Sequence, residues 1–278
     1  MLVFIPVNSI SQTIDNENLK ITHGPYLQNL GTDGVTIIWI TNRPSVPSVN
    51  ITDPAGNKRI IRNSHDGLTD AGGTLQKVRI DGLEPGLTYK YSISSVQILK
   101  YQAYKMYFGD TLTRKAEPFT TISPKSGKVN FMVINDVHEN SGKLGQYLRN
   151  GKPAEKDFCF YNGDMVDFLQ ETNQLFTGFV DTSTTYFASQ KPFWYIRGNH
   201  ETRGFAAREL KNYFDYKDDR FYYSFDFGPV HFTILDCGED KPDDNRYYYG
   251  LADYDAYRKS ELSWLKDEVK TDKFRNAK

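Results

Sequence analysis

The sequence predicts two domains in series, an all-β sandwich over residues 19–121 and an α/β domain over 128–278, and three observations predict it. The front half is a run of short strand patterns broken by Gly, Pro, Asn and Asp turns, with hardly any helical periodicity. The back half alternates apolar strand runs with helical stretches. Between them, Ser123-Pro124-Lys125-Ser126-Gly127 is a short polar linker.

Taken in order, Met1-Leu2-Val3-Phe4-Ile5-Pro6-Val7 is apolar but lacks a basic leader and is too short to span a bilayer. Residues 1–18 are read as the remnant of a secretion signal or as a hydrophobic tail or first edge strand, and export to the periplasm or the medium is the expectation. Val35-Thr36-Ile37-Ile38-Trp39-Ile40-Thr41 is a core strand with an aromatic anchor, and turns follow at Asp53-Pro54-Ala55-Gly56-Asn57 and Asp70-Ala71-Gly72-Gly73. The segment Leu83-Glu84-Pro85-Gly86-Leu87-Thr88-Tyr89-Lys90-Tyr91 resembles the tyrosine corner of fibronectin type III domains, in which a tyrosine near a strand start bonds back to the turn. His23 and His65 are expected at the surface or in turns.

In the back half, strands are expected at 129–135, 156–162 and 192–197, with helical stretches at 143–150 and 170–190 between them. Phe221–Asp226 and Val230–Asp236 form further strands joined by Phe227-Gly228-Pro229, and a helix from about Tyr254 places Leu262, Leu265 and Val269 on one face. His231, inside an alternating strand, reads as a packed or paired sheet histidine. Composition is that of a soluble globular protein: 278 residues, 38% hydrophobic and 25% charged. Thirty-four basic against 35 acidic residues give no sign of nucleic-acid or anionic-membrane binding, so any affinity for phosphate must be local. Cys159 and Cys237 leave the redox compartment undecided.

The chemistry sits at strand ends. Phe131-Met132-Val133-Ile134-Asn135 delivers Asp136-Val137-His138; Phe158-Cys159-Phe160-Tyr161-Asn162 delivers Gly163-Asp164; Phe193-Trp194-Tyr195-Ile196-Arg197 delivers Gly198-Asn199-His200-Glu201. In open α/β sheets, reactive groups gather beyond the carboxyl ends of the strands. Carboxylate, imidazole and amide oxygen together suit Mn, Fe or Zn better than Ca or Mg. An aspartate on the middle strand can bridge two ions, the arrangement needed to clamp a phosphoryl group while activating water.

Asp136-x-His138, Gly163-Asp164-x-x-Asp167 and Gly198-Asn199-His200-Glu201 resemble the first three motifs of the calcineurin-like metallophosphoesterase superfamily, and with the preceding sandwich the chain resembles a bacterial relative of purple acid phosphatases. The resemblance implies a four-layer αββα catalytic domain that hydrolyses phosphate esters with two divalent metal ions. It makes Asp136 and His138 ligands of the first ion, Asp164 the bridging carboxylate and Asn199 a ligand of the second. His200 then stabilises the transferring group or protonates the leaving oxygen, and a water activated by the two ions attacks. Purple acid phosphatases carry a tyrosine where Asp167 stands and a glycine where His138 stands, so a colourless enzyme is expected. Their later ligand histidines have no counterpart here. The chain therefore reads as a C-terminally truncated front portion of impaired activity, with an unpaired sheet edge open to association with another chain. A non-catalytic binding protein, or a nuclease or cyclic-nucleotide phosphodiesterase of the same superfamily, are the alternatives.

Around the motifs, Asp167 is expected to accept a hydrogen bond from a ligand histidine. Arg197, Glu201, Arg203 and Arg208 flank the third motif, where an arginine can grip a phosphate oxygen although surface ion pairing is the simpler account. The loop Asp243-Asp244-Asn245-Arg246-Tyr247-Tyr248-Tyr249-Gly250 reads as an aromatic rim for an organic leaving group or as a packed lid.

Overall fold

The segment Val35–Thr41 is apolar at odd and even positions alike, and the computed structural model, which describes residues 18–277, shows both of its faces covered. The strands of the front half are Ile21–Gln28 (β1), Val35–Thr52 (β2), Lys58–Ile61 (β3), the small ribbon Ser64–His65 (β4) with Leu68–Thr69 (β5), Gly73–Ile80 (β6), Thr88–Gln102 (β7), Lys105–Thr113 (β8) and Glu117–Thr120 (β9). All pairings among them are antiparallel. The first stretch of β2 pairs with β1 and β6, and from Ser45 onward it pairs with β7 and then β3, so one long strand passes between two sets of neighbours. Side chains alternate across a strand. Trp39 therefore points inward, where its Nε1 donates to Ser95 Oγ of β7 at 2.9 Å. Thr36 and Ile38, in register with Gln28 and Tyr26 of β1, point the other way, toward the back half of the chain. The hydrogen bond expected of Tyr89 is present: its hydroxyl oxygen accepts from the Glu84 N–H at 2.9 Å.

In the back half, Phe131–Ile134 (β10), Phe158–Asn162 (β11) and Phe193–Ile196 (β12) form a parallel sheet in the order β10-β11-β12, while Tyr223–Phe227 (β13) and Val230–Ile234 (β14) form an antiparallel hairpin. Ser141–Gly151 is α1. Asn173–Leu175 (α2) continues through a π-turn, Phe176–Val180, into Asp181–Tyr186 (α3); Tyr254–Glu268 is α4 and Asp272–Asn276 is α5. Period-two alternation sorts the sheet's two faces. On one, Tyr161 packs against Phe179, and its hydroxyl meets Ser183 Oγ of α3 at 2.5 Å. On the other, Phe158, Phe160 and Trp194 stack on the hairpin's Phe225 and Phe232, Trp194 lying parallel to Phe225 with centroids 4.4 Å apart.

The two halves share one continuous apolar core. Tyr26 hydroxyl donates to the Tyr213 carbonyl at 2.6 Å, Gln28 Nε2 to the Phe193 carbonyl at 2.9 Å, Lys77 Nζ to the Phe214 carbonyl at 2.7 Å and Thr36 Oγ1 to Asp215 Oδ2 at 2.5 Å. Burial pulls the Lys77 ammonium below its ordinary value, against the opposing pull of Asp215 and Asp219.

Three expectations change or fall outside the structure. His23 is no surface residue: its ring stacks on Phe176 at 4.2 Å and Nδ1 lies 2.9 Å from Asp181 Oδ2, because β1 docks on the α2–α3 segment. Leu262 and Val269 do not face the core; they are 50% and 38% exposed, while Tyr257, Glu261, Trp264 and Leu265 form the inner stripe of α4. The apolar stretch Met1–Val7 lies outside the described residues. His231 is paired, with Nδ1 2.6 Å from Asp226 and Nε2 2.8 Å from Glu268.

Candidate metal centre

The three parallel strands are in register, Ile134 opposite Tyr161 and Tyr161 opposite Tyr195, so their carboxyl ends emerge at one level and the loops beyond them meet. Those loops are unusual. Asp136, His138 and Asp164 all have positive φ, at 53°, 51° and 54°, a conformation that costs a residue with a Cβ about 1–3 kcal/mol unless its surroundings enforce it. The enforcement is visible. Val137 and His138 N–H both donate to the Asp164 carbonyl, at 3.0 and 3.1 Å, and Glu139 N–H donates to the Met165 carbonyl at 2.9 Å.

Glycine is required where the second and third loops touch. A Cβ on Gly163 would sit 2.7 Å from Gly198 Cα, and one on Gly198 would collide with Asp164 Oδ1. The two loops are further tied by Glu201, whose fully buried carboxylate accepts four backbone N–H bonds: Asp164 at 3.0 Å, Gly198 at 2.9 Å, Met165 at 2.7 Å and Val166 at 3.2 Å. Read from the sequence as either a support for the ligands or a contact for substrate, Glu201 here bonds the backbone of the ligand-bearing loops. It is consumed inside the loops it joins.

The fold brings the donor atoms of Asp136, His138 and Asp164 within 4.8 Å of one another. His138 stands between two carboxylates: Nε2 is 3.9 Å from Asp136 Oδ1, and Nδ1 is 2.9 Å from Asp167 Oδ1. The second contact is close but out of line for a hydrogen bond, so a buried ring nitrogen lacks an aligned partner. Asn199 presents a related mismatch. As placed, its amide oxygen faces Asp164 Oδ1 and its nitrogen faces the Arg203 guanidinium; turning the amide over gives donation to Asp164 Oδ1 at 3.2 Å and acceptance from Arg203 Nη2 at 2.8 Å. A cation between the two facing oxygens would relieve that oxygen–oxygen contact, whereas the donor–donor contact with Arg203 is relieved only by the turn. Convergent carboxylates, a free imidazole nitrogen and an amide oxygen aimed at a carboxylate fit a divalent ion of the Mn, Fe or Zn type.

His200 reaches the centre from the third loop. Its Nδ1 lies 2.6 Å from the Asp167 carbonyl, which can only accept, so Nδ1 carries the proton and Nε2 is left as the working nitrogen. The His200 N–H donates to Asp164 Oδ1 at 3.2 Å, and its ring meets that of His138 edge-on at 4.7 Å. His138, Asp167 and His200 also group as metal-ligand types within the same 4.8 Å limit, a set that strand-by-strand reading of the sequence does not suggest.

Arg203 is not a loose surface cation. It holds Glu239 side-on, Nε to Oε2 at 2.8 Å and Nη2 to Oε1 at 2.6 Å, and also reaches Asp240 at 3.0 Å and His200 Nε2 at 3.5 Å. Burial alone would raise the Glu239 carboxyl, but the bonds from Arg203 and Asp240 hold it well below the usual carboxylate range. Arg197 likewise pairs with fully buried Asp236, which also accepts from the Tyr257 hydroxyl at 2.7 Å. Sequence reasoning misses Glu239 and Asp236 as neighbours of the site. The available signal is that Val230–Leu235 is a fourth apolar run ending in an aspartate.

The family model for calcineurin-like phosphoesterases matches residues 129–276, more than half of the chain and all three loops. No curated protein matches the sequence. Among solved structures, a purple acid phosphatase isolated from yellow lupin (Lupinus luteus) seeds is similar with a TM-score of 0.55 at 17% identity, over 82% of this chain and 47% of that one. The structure of PhoD is matched with a TM-score of 0.48 at 12% identity, over 80% of this chain and 52% of that one. The chain thus spans about half the length of these structures, and the likeness to the lupin enzyme is one of fold. With the family model lying over all three motif-bearing loops, the chain belongs to the calcineurin-like phosphoesterase family.

Proposed function

We propose that this chain carries the metal-binding loops of a phosphatase-like enzyme that hydrolyses phosphate esters with two divalent ions of the Mn, Fe or Zn type. The supporting observation is the convergence of Asp136, His138 and Asp164 at the ends of adjacent parallel strands. Those three would hold one ion, and Asp164 with Asn199 would contribute to the second. Bound there, the ions would supply Lewis-acid polarisation of the phosphoryl group and a water of lowered pKa.

The chain's own residues do the rest. Asp167 and Asp136 flank the His138 ring on opposite sides, and Glu201 keeps the loops bearing Asp164 and Asn199 in contact. The Asp167 carbonyl fixes His200 as the Nδ1–H tautomer, so Nε2 is the nitrogen that can hold a proton for the leaving oxygen. Asn199 and Asp164 alone are a thin donor pair for a second ion, and weak occupancy of that position by this chain belongs to the proposal.

Titration with Mn or Zn followed calorimetrically, alongside p-nitrophenyl phosphate hydrolysis, tests this reading. Uptake and hydrolysis are both expected to vanish in His138→Ala and Asp164→Asn; hydrolysis that survives either substitution sinks the proposal. Iron loading adds a further check. With Asp167 where purple enzymes have a tyrosine, no visible charge-transfer band is expected, and a purple protein would contradict the assignment.

A further inference from the structure

His231 is held by both ring nitrogens at once. Nδ1 lies 2.6 Å from Asp226 Oδ1 of β13, and Nε2 lies 2.8 Å from Glu268 Oε1 at the end of α4. An ionised carboxylate only accepts, whereas a neutral imidazole has a single N–H to give. Both contacts are therefore made together only by the imidazolium, with a proton on each nitrogen. The His231 side chain is 3% exposed and that of Glu268 is 11% exposed, so little water is at hand to replace a lost partner.

Charge balance points the same way. The charged groups around the ring are Asp226 from β13, Glu268 from α4 and Lys273 from α5, whose Nζ lies 3.0 Å from Asp226 Oδ2. Phe274 of α5 adds an uncharged ring, edge-on at 6.0 Å. The next pair along the chain, Lys270 with Asp267, is closed on itself at 2.9 Å. Two carboxylates and one ammonium call for one more positive charge, and the imidazolium supplies it. Burial alone would raise the Asp226 carboxyl, but the bonds from His231 and Lys273 hold it below its ordinary value.

This cluster is where the last two helices meet the hairpin. Asp226 and His231 face each other across the β13–β14 ladder, Glu268 ends α4, and Lys273 and Phe274 belong to α5. About three turns earlier on α4, Tyr257 donates to Asp236 at 2.7 Å and Glu261 accepts from the Asp236 N–H at 2.6 Å. The helix seated by the cluster thus also holds the aspartate that pairs with Arg197 at the end of β12.

We propose that His231 is a proton-operated latch: protonated, it fastens the outer end of α4 and α5 to the hairpin, and on losing its proton it releases them. With the carboxylates ionised, the latch is closed below the titration of the imidazole and opens as pH rises through it. It depends on no group of the metal centre and on no activity of that centre.

The test follows hydrogen exchange of the full chain at about pH 5.5 and about pH 8.5, on either side of the ordinary imidazole range, with rates corrected for the intrinsic effect of pH. Amides of residues 262–276 are expected to lose about tenfold in protection at the higher pH, while those of β2 and β11 keep theirs. Glu268→Gln offers a partner to either form of the ring, since its amide can accept from an N–H or donate to a bare nitrogen, and it should stay protected at both pH values. His231→Gln should be weakly protected at both. The ring nitrogen shifts of His231 in the unaltered chain need no variant, and both nitrogens are expected to be protonated at the lower pH. A ring that is neutral there overturns the proposal. So does protection of residues 262–276 that is equal at the two pH values in the unaltered chain, or that falls as far in Glu268→Gln.

Discussion

Four backbone N–H groups converge on the Glu201 carboxylate, and none of them has another acceptor in its place. Glu201→Gln turns one acceptor oxygen into an NH₂ that faces donors. A loss of about 3 kcal/mol in urea unfolding is expected, together with weaker Mn binding; unchanged stability would refute the clamp. Glu239 carries the pH dependence. Its folded pKa is depressed, so the contribution of the Arg203 pair is fully present above the ordinary carboxylate range and is lost as pH falls through that range toward the folded value. Glu239→Gln should therefore be less stable at neutral pH and flatten the acid limb of the stability profile; an acid limb as steep as wild type would show that the pair contributes nothing there. Asp136, His138, Asp164 and Asn199 are legible in the sequence because each is a ligand type following an apolar strand. Glu201 and Glu239 are not. Three of the four donors to Glu201 lie 35–37 residues away, and the Arg203 donor to Glu239 lies 36 residues away, which nothing local announces.

At the scale of elements, alternation in β11 and β12 divides the aromatic residues between the helices and the hairpin, and Trp194 with Phe225 is the parallel stack at the centre of the hairpin side. Trp194→Ala should cost about 3–5 kcal/mol in chemical denaturation, with the hairpin amides losing hydrogen-exchange protection first. A cost below about 1 kcal/mol would mean that the hairpin packs without it. The strands are readable because apolar runs bounded by Gly and Asp are strong signals. The inner face of α4 is not, because it is set by polar contacts: Glu261 accepts from the Asp236 N–H at 2.6 Å and Tyr257 donates to the same aspartate. Leucine spacing points to Leu262, which the helix turns outward.

Over the whole molecule, the continuous core and the hydrogen bonds from Tyr26, Gln28, Thr36 and Lys77 join the antiparallel front half and the α/β half into a single folding unit. One cooperative thermal transition is expected, with near-ultraviolet and far-ultraviolet signals coinciding; two separated transitions would show that the docking face is weak. The docking face is half-visible in the sequence, since Val35–Thr41 reads as apolar on both parities, which a strand with one wet face does not.

That same face ends on Tyr213, Phe214 and Asp215, the residues that close and directly follow the segment bearing Arg208 and Lys211. The antiparallel front half therefore backs the segment Phe205–Tyr213 from behind. Loss of the Tyr26 or Lys77 hydrogen bond would loosen the anchoring of the segment that carries Arg208 and Lys211 without removing any group at the strand ends.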